Sequence, residues 1–312
     1  QVGLAFDGIR ISKNWEGIEI NTANNTIQGN YISTDISGTL NLGNRLGDGI
    51  QIQGAAANTV VGGTVSSAGN LIAYNAGDGV SILAGTGHQV LGNSIYANTD
   101  LGIDLGATGV TANDAGDGDS GANNLQNFPV IYNVIIDSGN VTISGEARSG
   151  ATVEFFESPD VAGANGEGQT FLGRGTVSGA TPGTVDATAR QFTFTFAVGS
   201  LISGDRVTAT ATDASNNTSE FSANATASLF AVTTTSDVLD GITTSIANLI
   251  ANKGADGQIS LREAILAANA IAGTDTIRFN ISAPLVGGVH TITLAYDGPD
   301  AGTVPDALPV IT

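Results

Sequence analysis

The 312-residue chain has no cysteine, no methionine, only 10 lysine and arginine residues, and 5% aromatic residues. The absence of cysteine excludes disulfides, thiolate metal sites and thiol catalysis. With 29 acidic residues the net charge is −19, which repels phosphate backbones and anionic lipids and argues against a nucleic-acid partner. No apolar run approaches the roughly 18 residues that span a bilayer, so the sequence predicts no membrane insertion.

Glycine is abundant at 43 residues while proline is limited to 7, which indicates many tight turns rather than disorder. An acidic, cysteine-free chain rich in Gly, Asn, Thr and Ser is typical of extracellular and cell-surface proteins. Because residue 1 is not methionine, we expect the chain to begin at a processed point. Divalent cations are the natural counter-ions of such a surface.

Two short phrases recur in the first hundred residues. Gly-Asn-x-Ile occurs at 29–32, 69–72 and 92–95, and Asp-Gly-Ile/Val-x-Ile occurs at 7–11, 48–52 and 78–82. Each phrase is a turn followed by apolar residues that point to one face of a short strand. Strands this short must stack on copies of themselves to bury a core. The repeats therefore predict a right-handed parallel β-helix, or solenoid, over residues 1–112.

The repeats also predict the interior of the solenoid. The asparagines at equivalent turns, Asn30, Asn70 and Asn93, are expected to form a ladder of side-chain amides. The inward-facing pairs are expected to form aliphatic columns, which comprise Ile18/Ile20, Ile50/Ile52, Val80/Ile82 and Ile103/Leu105.

Residues 113–127 form a Gly/Asp/Asn-rich segment, which we interpret as a linker or a calcium loop. Asp114, Asp117 and Asp119 have the acidic spacing of a calcium loop, and Asp104 and Asn113 supply further oxygen donors. The segment lacks the terminal glutamate of an EF-hand. The alternative interpretation is a solvated polar linker.

Residues 128–228 change to alternating strands with turns between them. Candidate strands lie at 130–136, 140–146, 151–157, 170–177, 191–197, 206–212 and 219–223. Seven strands in about 100 residues, without a helical stretch, predict an immunoglobulin-like β-sandwich, so the whole chain is predicted to be all-β.

Residues 229–312 contain the one convincing helix, at 260–270. Ser260 is a suitable N-cap, and Glu263 three residues later completes a capping box. The segments 229–233, 276–280, 290–294 and 308–311 are predicted to be short strands. The pair Asp256-Gly257 before the helix is interpreted as a turn.

The segment 259–265, Ile-Ser-Leu-Arg-Glu-Ala-Ile, with Asn269 and 273–277 after it, closely resembles the CSLREA domain of large bacterial surface proteins. The leading cysteine of that family is Ile259 here. Residues 113–129, with 209–213 and 217–221, resemble the Ig-like module that follows right-handed β-helix repeats in the same proteins. The resemblance implies a secreted surface or matrix protein and carries over no catalytic residue. It also implies that the SLREA helix opens a β-helix, so both chain ends are expected to be incomplete solenoid surfaces.

The sequence gives little support for a catalytic site. The column Asp7, Asp48 and Asp78 precedes a strand each time, and carboxylates in such turns usually accept backbone amides rather than act as glycosidase groups. His88 and His290 lie in different regions without a nucleophile motif. We therefore predict that the chain is not an enzyme.

The leading functional hypothesis is a secreted structural protein that assembles head to tail into filaments or a surface matrix. The exposed end of one solenoid would pair with the C-terminal strands of another copy. The predicted interface comprises Val2, Leu4, Phe6, Ile9, Ile11, Leu308, Val310 and Ile311. The alternatives are an adhesin that binds cell-surface or matrix glycans or proteins, and a polysaccharide-active β-helix enzyme.

Overall fold

A computed structural model describes residues 5–7, 10–11, 17–44, 46–106, 109–137, 139–161, 163–184, 186–270 and 277–293. The chain divides into two compact units, the first comprising Gln1–Val134 and Thr142–Ala227 and the second Ile135–Val141 and Ser228–Thr312. The described part of the chain is mainly β-structure, as the sequence predicts, and its few short α-helices both lie in the second unit. The longest of them has nine residues, so none of the described helices can cross a membrane.

The first part of the first unit is a stack of short parallel strands. In chain order these are β1 (Ala5–Asp7), β2 (Arg10–Ile11), β3 (Ile18–Ile20), β4 (Thr26–Gln28), β5 (Tyr31–Ile32), β6 (Ile50–Ile52), β7 (Val60–Gly62), β8 (Leu71–Ala73), β9 (Val80–Ile82), β10 (Gln89–Leu91), β11 (Ser94–Tyr96) and β12 (Ile103–Leu105). They form three four-stranded sheets, with orders β1-β4-β7-β10, β2-β5-β8-β11 and β3-β6-β9-β12. Consecutive strands enter the three sheets in rotation, so β1–β12, here called the stack, consists of four coils.

The predicted aliphatic columns are confirmed in the third sheet. Ile50 lies in register between Ile18 and Val80, and Val80 pairs in turn with Ile103. The members of both columns are buried, with exposed fractions between 0% and 6%. Full burial of one such side chain contributes about 1.5–3 kcal/mol, so these columns are a main source of stability in the stack.

Gly49 and Gly79, the described glycines of the Asp-Gly phrases, are required because neighbouring coils approach closely. A Cβ on Gly49 would lie 2.6 Å from the carbonyl oxygen of Gly79, and a Cβ on Gly79 would lie 2.6 Å from that of Gly102. Gly17 makes the same approach to Gly49. Any side chain at these positions would therefore force the coils apart.

Seven longer strands follow the stack, after a short turn at Ala122–Leu125. They are β13 (Val130–Asp137), β14 (Asn140–Arg148), β15 (Thr152–Ser158), β16 (Thr170–Thr176), β17 (Ala189–Ala197), β18 (Arg206–Thr212) and β19 (Ala225–Leu229). They form one sheet of order β16-β15-β18-β19-β13-β14-β17, in which β15 is antiparallel to β16 and β18.

Six of the predicted strands in this region are confirmed within a few residues, but the strand predicted at 219–223 is wrong. The seventh strand is β19, and residues 219–222 are a buried segment whose polar side chains bond to neighbouring backbone and to the stack. The alternation of buried and exposed positions that marks a strand is missing there, because every side chain from Asn217 to Ser222 is buried.

The seven-stranded sheet curls so that its edge strands β16 and β17 lie close together. The ring of Phe196 covers Gly173, and the ring of Phe194 covers Gly175. Both rings also pack on the fully buried Phe155, with centroid distances of 5.7 and 5.9 Å. Glycine on β16 therefore makes room for the aromatic rings of β17.

The second unit has a small core of its own, around Phe230, Leu249, Ile259 and Ala264. Its elements are β20 (Ala231–Val232), α1 (Ile246–Ala251), α2 (Leu261–Asn269) and β21 (Arg278–Phe279), and β20 pairs with β21 in parallel. The predicted helix is confirmed as α2, with both bonds of its capping box present. Helix α1 was not predicted, since six residues are too few to show a helical period. The strand predicted at 290–294 is absent over its described residues 290–293, and 308–311 lie outside the described residues.

Candidate functional site

The predicted asparagine ladder is confirmed. The Oδ1 atom of Asn70 accepts hydrogen bonds from the backbone N and the Nδ2 of Asn30, each at 3.0 Å. Asn93 accepts the equivalent two bonds from Asn70, each at 2.9 Å. All three side chains are buried, so the ladder satisfies the polar groups of the turn inside the stack.

A second asparagine ladder, which the sequence reasoning missed, runs through Asn44, Asn75 and Asn98. Asn75 accepts from Asn44 Nδ2 at 2.9 Å, and Asn98 accepts from Asn75 Nδ2 at 2.7 Å. The ladder ends on a carboxylate, since Asn98 Nδ2 donates to Glu167 at 2.7 Å. One signal was available: Asn75 and Asn98 are 23 residues apart, as are Asn70 and Asn93.

The aspartates of the Asp-Gly phrases accept backbone amides of the neighbouring coil. Asp48 Oδ1 accepts the N–H of Asp78 at 2.9 Å, and Asp78 Oδ1 accepts the N–H of Leu101 at 2.8 Å. This confirms the turn-amide interpretation for Asp48 and Asp78. The side chain of Asp7 lies outside the described residues.

Asp78, in the turn before β9, and Asp104, on β12, form a buried acidic pair. They are 8% and 3% exposed, and Asp104 Oδ1 has no hydrogen-bond partner among the described residues. Burial raises the pKa of Asp78 to about 7. Burial, and next the negative charge of the nearby Glu220, raises the pKa of Asp104 to about 6. Asp104 thus lies among Asp78 and Glu220, rather than with the acidic residues of 113–127.

The acidic residues of that segment do come together. One carboxylate oxygen from each of Asp114, Asp117 and Asp119 lies within 4.8 Å of the others. Arg148 donates to the carboxylate of Asp117, which also accepts the N–H of Asn127 at 2.8 Å. Asp114 Oδ1 has no hydrogen-bond partner among the described residues. Burial raises the pKa of Asp119, and the negative charge of Asp114 raises it further.

The side chain of Asn113, a predicted metal ligand, is instead hydrogen-bonded to the backbone of Phe128. It donates to the carbonyl of Phe128 and accepts the N–H of Phe128, each at 2.9 Å. Of the five predicted metal ligands, only the three aspartates of the loop therefore have carboxylates close together. The positive charge of Arg148 already neutralises the negative charge of Asp117. Hard oxygen donors of this kind suit calcium.

The outer edge of the last coil, formed by β10, β11 and β12, is covered by residues of the seven-stranded sheet and its loops. On β10 the N–H of Val90 donates to Thr218 Oγ1 at 2.9 Å, and on β12 the N–H of Leu105 donates to Glu220 Oε1 at 3.1 Å. On β11 the N–H of Ile95 donates to the carbonyl of Gly168 at 2.8 Å. We call this the covered edge.

Further backbone amides next to the covered edge also donate to side chains. These bonds are Gly87 to Asn217 at 2.7 Å, His88 to Asn123 at 2.9 Å, Gly92 to Glu154 at 2.7 Å, Asn98 to Glu167 at 3.2 Å and Thr111 to Glu220 at 3.0 Å. The side-chain oxygens thus occupy the places that carbonyl groups of another parallel strand would take.

The glutamates at the covered edge are almost fully buried. Glu154, Glu167 and Glu220 are 0%, 4% and 2% exposed. Burial raises the pKa of all three, that of Glu167 to about 7. Arg174 compensates Glu154, with its Nη2 3.1 Å from Oε1.

The histidines do not form a site. His88 is fully buried, and its Nδ1 accepts the N–H of Thr59 at 3.3 Å. Burial lowers the pKa of His88, which keeps the ring neutral. His290 is exposed in the other unit.

Glu263 completes the capping box of α2, as the sequence predicts, and the neighbouring Arg262 also has a structural role. Arg262 is buried and donates to Asp237 through Nε at 3.1 Å and Nη2 at 2.5 Å. Glu263 accepts the N–H groups of Asp240, Gly241 and Ser260. The SLREA segment therefore fixes the loop before α1 onto α2.

The predicted assembly residues fall largely outside the described part of the chain. Phe6 and Ile11 lie in β1 and β2, of which the backbone alone is described. The others, Val2, Leu4, Ile9, Leu308, Val310 and Ile311, lie outside the described residues.

Comparison with models of known protein families gives no match, and comparison with curated proteins gives none either.

Proposed function

We propose that residues 1–112 are a right-handed parallel β-helix, that 128–228 are an Ig-like module, and that 229–312 are a CSLREA-type module of a bacterial surface protein. The rotation of strands through three parallel sheets and the two asparagine ladders support the first part. The roles of Arg262 and Glu263 support the third, because they give the SLREA residues a structural task.

On this basis we propose that the chain is a secreted structural protein whose copies join head to tail into extracellular filaments or a surface matrix. The observation that carries the proposal is that each unit has parallel strands that lack a paired strand on one side among the described residues. In the stack, β1, β2 and β3 are the terminal strands of their sheets. In the second unit, β20 and β21 form a two-stranded parallel sheet. Unpaired edges favour the addition of strands from another chain.

The second unit also exposes apolar side chains next to β21. Phe279 is 59% exposed, and Leu285, Val286 and Val289 are 58%, 79% and 56% exposed. Burying them against the first coil of another copy would remove apolar surface from water, which is the main driving force of stable association. A contact between different surfaces of two copies propagates into a filament unless it closes into a ring.

Negative-stain electron microscopy at increasing protein concentration tests this proposal. We expect filaments from the unmodified chain and dispersed particles from Val286→Asp, because a charge at the joint opposes burial. Ile202→Asp is the matched control, since Ile202 is 66% exposed in the other unit and should leave filaments intact. Dispersed monomers of the unmodified chain at every concentration, with and without calcium, would overturn the proposal.

A calcium ion held by Asp114, Asp117 and Asp119 is part of the same proposal, because their oxygens lie within 4.8 Å of one another. We expect millimolar calcium to raise the thermal unfolding midpoint of the unmodified chain. Asp114→Asn with Asp119→Asn should abolish this shift, whereas Asp256→Asn, a control aspartate in the second unit, should keep it. An equal shift in the double variant would contradict the site.

The proposed function is not enzymatic. Asp48 and Asp78, the residues on which a polysaccharide-active site would depend, already accept backbone amides. Absence of reducing-sugar release from acidic and neutral polysaccharides is the expected outcome. Release that is lost in Asp48→Asn would overturn this part of the proposal.

A further inference from the structure

We infer that the seven-stranded sheet is a built-in stop for strand addition: it closes the covered edge of the stack, so that another copy of the chain can join only at the edge formed by β1, β2 and β3. The inference deepens the proposed function and rests on it for the identity of the partner. It specifies which of the two ends of the stack forms the contact with the next copy.

The first step is the chemistry of the covered edge. A parallel stack that simply ends leaves N–H groups pointing along its axis, and burying such groups without an acceptor is unfavourable. Here they donate to oxygens of Thr218, Glu220 and their neighbours, at distances between 2.7 and 3.2 Å. On each of the three strands, at least one N–H group that would bond to an incoming strand is therefore already occupied.

The second step is that the acceptors are mostly side chains. A further coil would offer backbone carbonyl groups and also a new unpaired edge of its own. A carboxylate, hydroxyl or amide oxygen pairs with the N–H group without presenting another strand edge. The covered edge thus ends the ladder of parallel strands instead of passing it on.

The third step is the contrast between the two edges. The covered edge is formed by β10, β11 and β12, and each of these strands has a neighbour from the sheet or its loops. At the other edge, no described strand pairs with the outer sides of β1, β2 and β3. The two edges therefore differ in their capacity to accept a strand.

The first experiment uses amide hydrogen exchange by NMR on dilute, monomeric protein. We expect the N–H groups of Val90, Ile95 and Leu105 to exchange at least ~10-fold more slowly than that of Glu19 on the edge strand β3. Thr218→Val, which removes the acceptor of Val90 at nearly constant volume, should accelerate exchange at Val90 but not at Leu105. Exchange at Leu105 as fast as at Glu19 would overturn the inference.

The second experiment locates the joint in the assembled protein. The chain has no cysteine. Glu19→Cys, near the edge formed by β1, β2 and β3, and Ala214→Cys, near the covered edge, therefore each create a single reactive thiol. Both positions are exposed. We expect assembly to slow thiol modification of Glu19→Cys by at least ~5-fold and to leave Ala214→Cys unchanged.

The two failures are distinguishable. If Ala214→Cys becomes protected on assembly, the stop does not exist, although head-to-tail assembly still holds. If neither thiol responds to concentration, the proposed assembly and the choice of docking edge both fail, while slow exchange at Leu105 still establishes that the edge is closed.

Discussion

At the scale of single residues, the repeated phrases of the sequence are explained by contacts between successive coils. Asn70 and Asn93 each accept from the asparagine of the coil before, and the Nδ2 groups of Asn30, Asn70 and Asn93 donate to backbone carbonyls. The aspartate of each described Asp-Gly phrase accepts a backbone amide of the coil after it. The phrases recur because every coil must satisfy the same turn.

The middle asparagine of the first ladder gives the sharpest test. Asn70 is 2% exposed and donates to the carbonyl of Ile27 at 2.8 Å besides its bonds to Asn30 and Asn93. Asn70→Ala leaves several buried polar groups without partners, so we expect a loss of about 3 kcal/mol in the free energy of unfolding. Denaturant unfolding measures it. Asn21→Ala, at an exposed position, should cost less than ~0.5 kcal/mol, and an equal loss in both variants would contradict the ladder.

Gly79 tests the close approach of the coils. Its backbone does not need the left-handed region, but a Cβ there would lie 2.5 Å from Ile95 Cγ2 and 2.6 Å from the carbonyl oxygen of Gly102. We expect Gly79→Ala to lower the free energy of unfolding by about 3 kcal/mol through overpacking. The control is Gly118→Ala, because nothing lies within 4 Å of a Cβ at that position. Equal midpoints of urea unfolding for the two variants would rule out the steric explanation.

At the scale of elements, the sequence predicted the strands whose inward positions repeat and missed those features that depend on distant partners. The aliphatic columns, the first asparagine ladder and helix α2 were predictable because their signals are local. The second ladder was missed because Asn44, Asn75 and Asn98 follow different residues. The buried roles of Glu167 and Glu220 depend on the contact of loops with the last coil, which no local pattern encodes.

Helix α2 provides a graded test at this scale. Glu263 Oε1 accepts the N–H groups of Asp240 and Gly241 at 2.9 and 2.7 Å, and Oε2 accepts that of Ser260 at 2.9 Å. Glu263→Gln keeps one acceptor oxygen and should destabilise the second unit by about 1 kcal/mol, whereas Glu263→Ala removes both and should cost about 3 kcal/mol. Limited proteolysis between residues 237 and 258 reports the loosening.

The exposed neighbour Gln258 supplies the control for this series. Gln258→Ala should leave the cleavage rate unchanged, because the residue is exposed and its backbone N–H bonds to Asp256. Equal cleavage rates for Glu263→Ala and Gln258→Ala would show that the carboxylate does not hold the loop.

At the scale of the whole molecule, the most consequential feature is the uneven distribution of charge. The net charge is −19, and several carboxyl groups are buried in the first unit instead of facing solvent. Asp78, Asp104 and Glu167 have pKa values raised to about 7, 6 and 7, in each case chiefly by burial. The covered edge therefore becomes more negative as the pH rises through the neutral range.

The sign of the effect on stability follows from proton uptake. Between the unfolded pKa of about 4 and the folded values, the folded chain keeps protons that the unfolded chain releases. The stabilisation that these groups contribute is complete below about pH 4 and is lost as the pH rises through 6 to 7. Exposed carboxylates with lowered pKa values, such as Asp35 at about 2, act at more acidic pH.

We therefore expect the free energy of unfolding to fall by ~2 kcal/mol or more between pH 5 and pH 8, since one unit of pKa shift corresponds to about 1.4 kcal/mol. Glu167→Gln keeps an acceptor for Asn98 but cannot ionise, so it should flatten the slope. Glu19→Gln, at an exposed carboxylate whose pKa is lowered by hydrogen bonds from Asn21 and Gln53, should leave the slope unchanged. Two results would contradict this prediction: a free energy of unfolding that rises with pH in this range, or a Glu167→Gln slope equal to that of the unmodified chain. Either result would mean that ionising the buried carboxyl groups does not destabilise the folded chain.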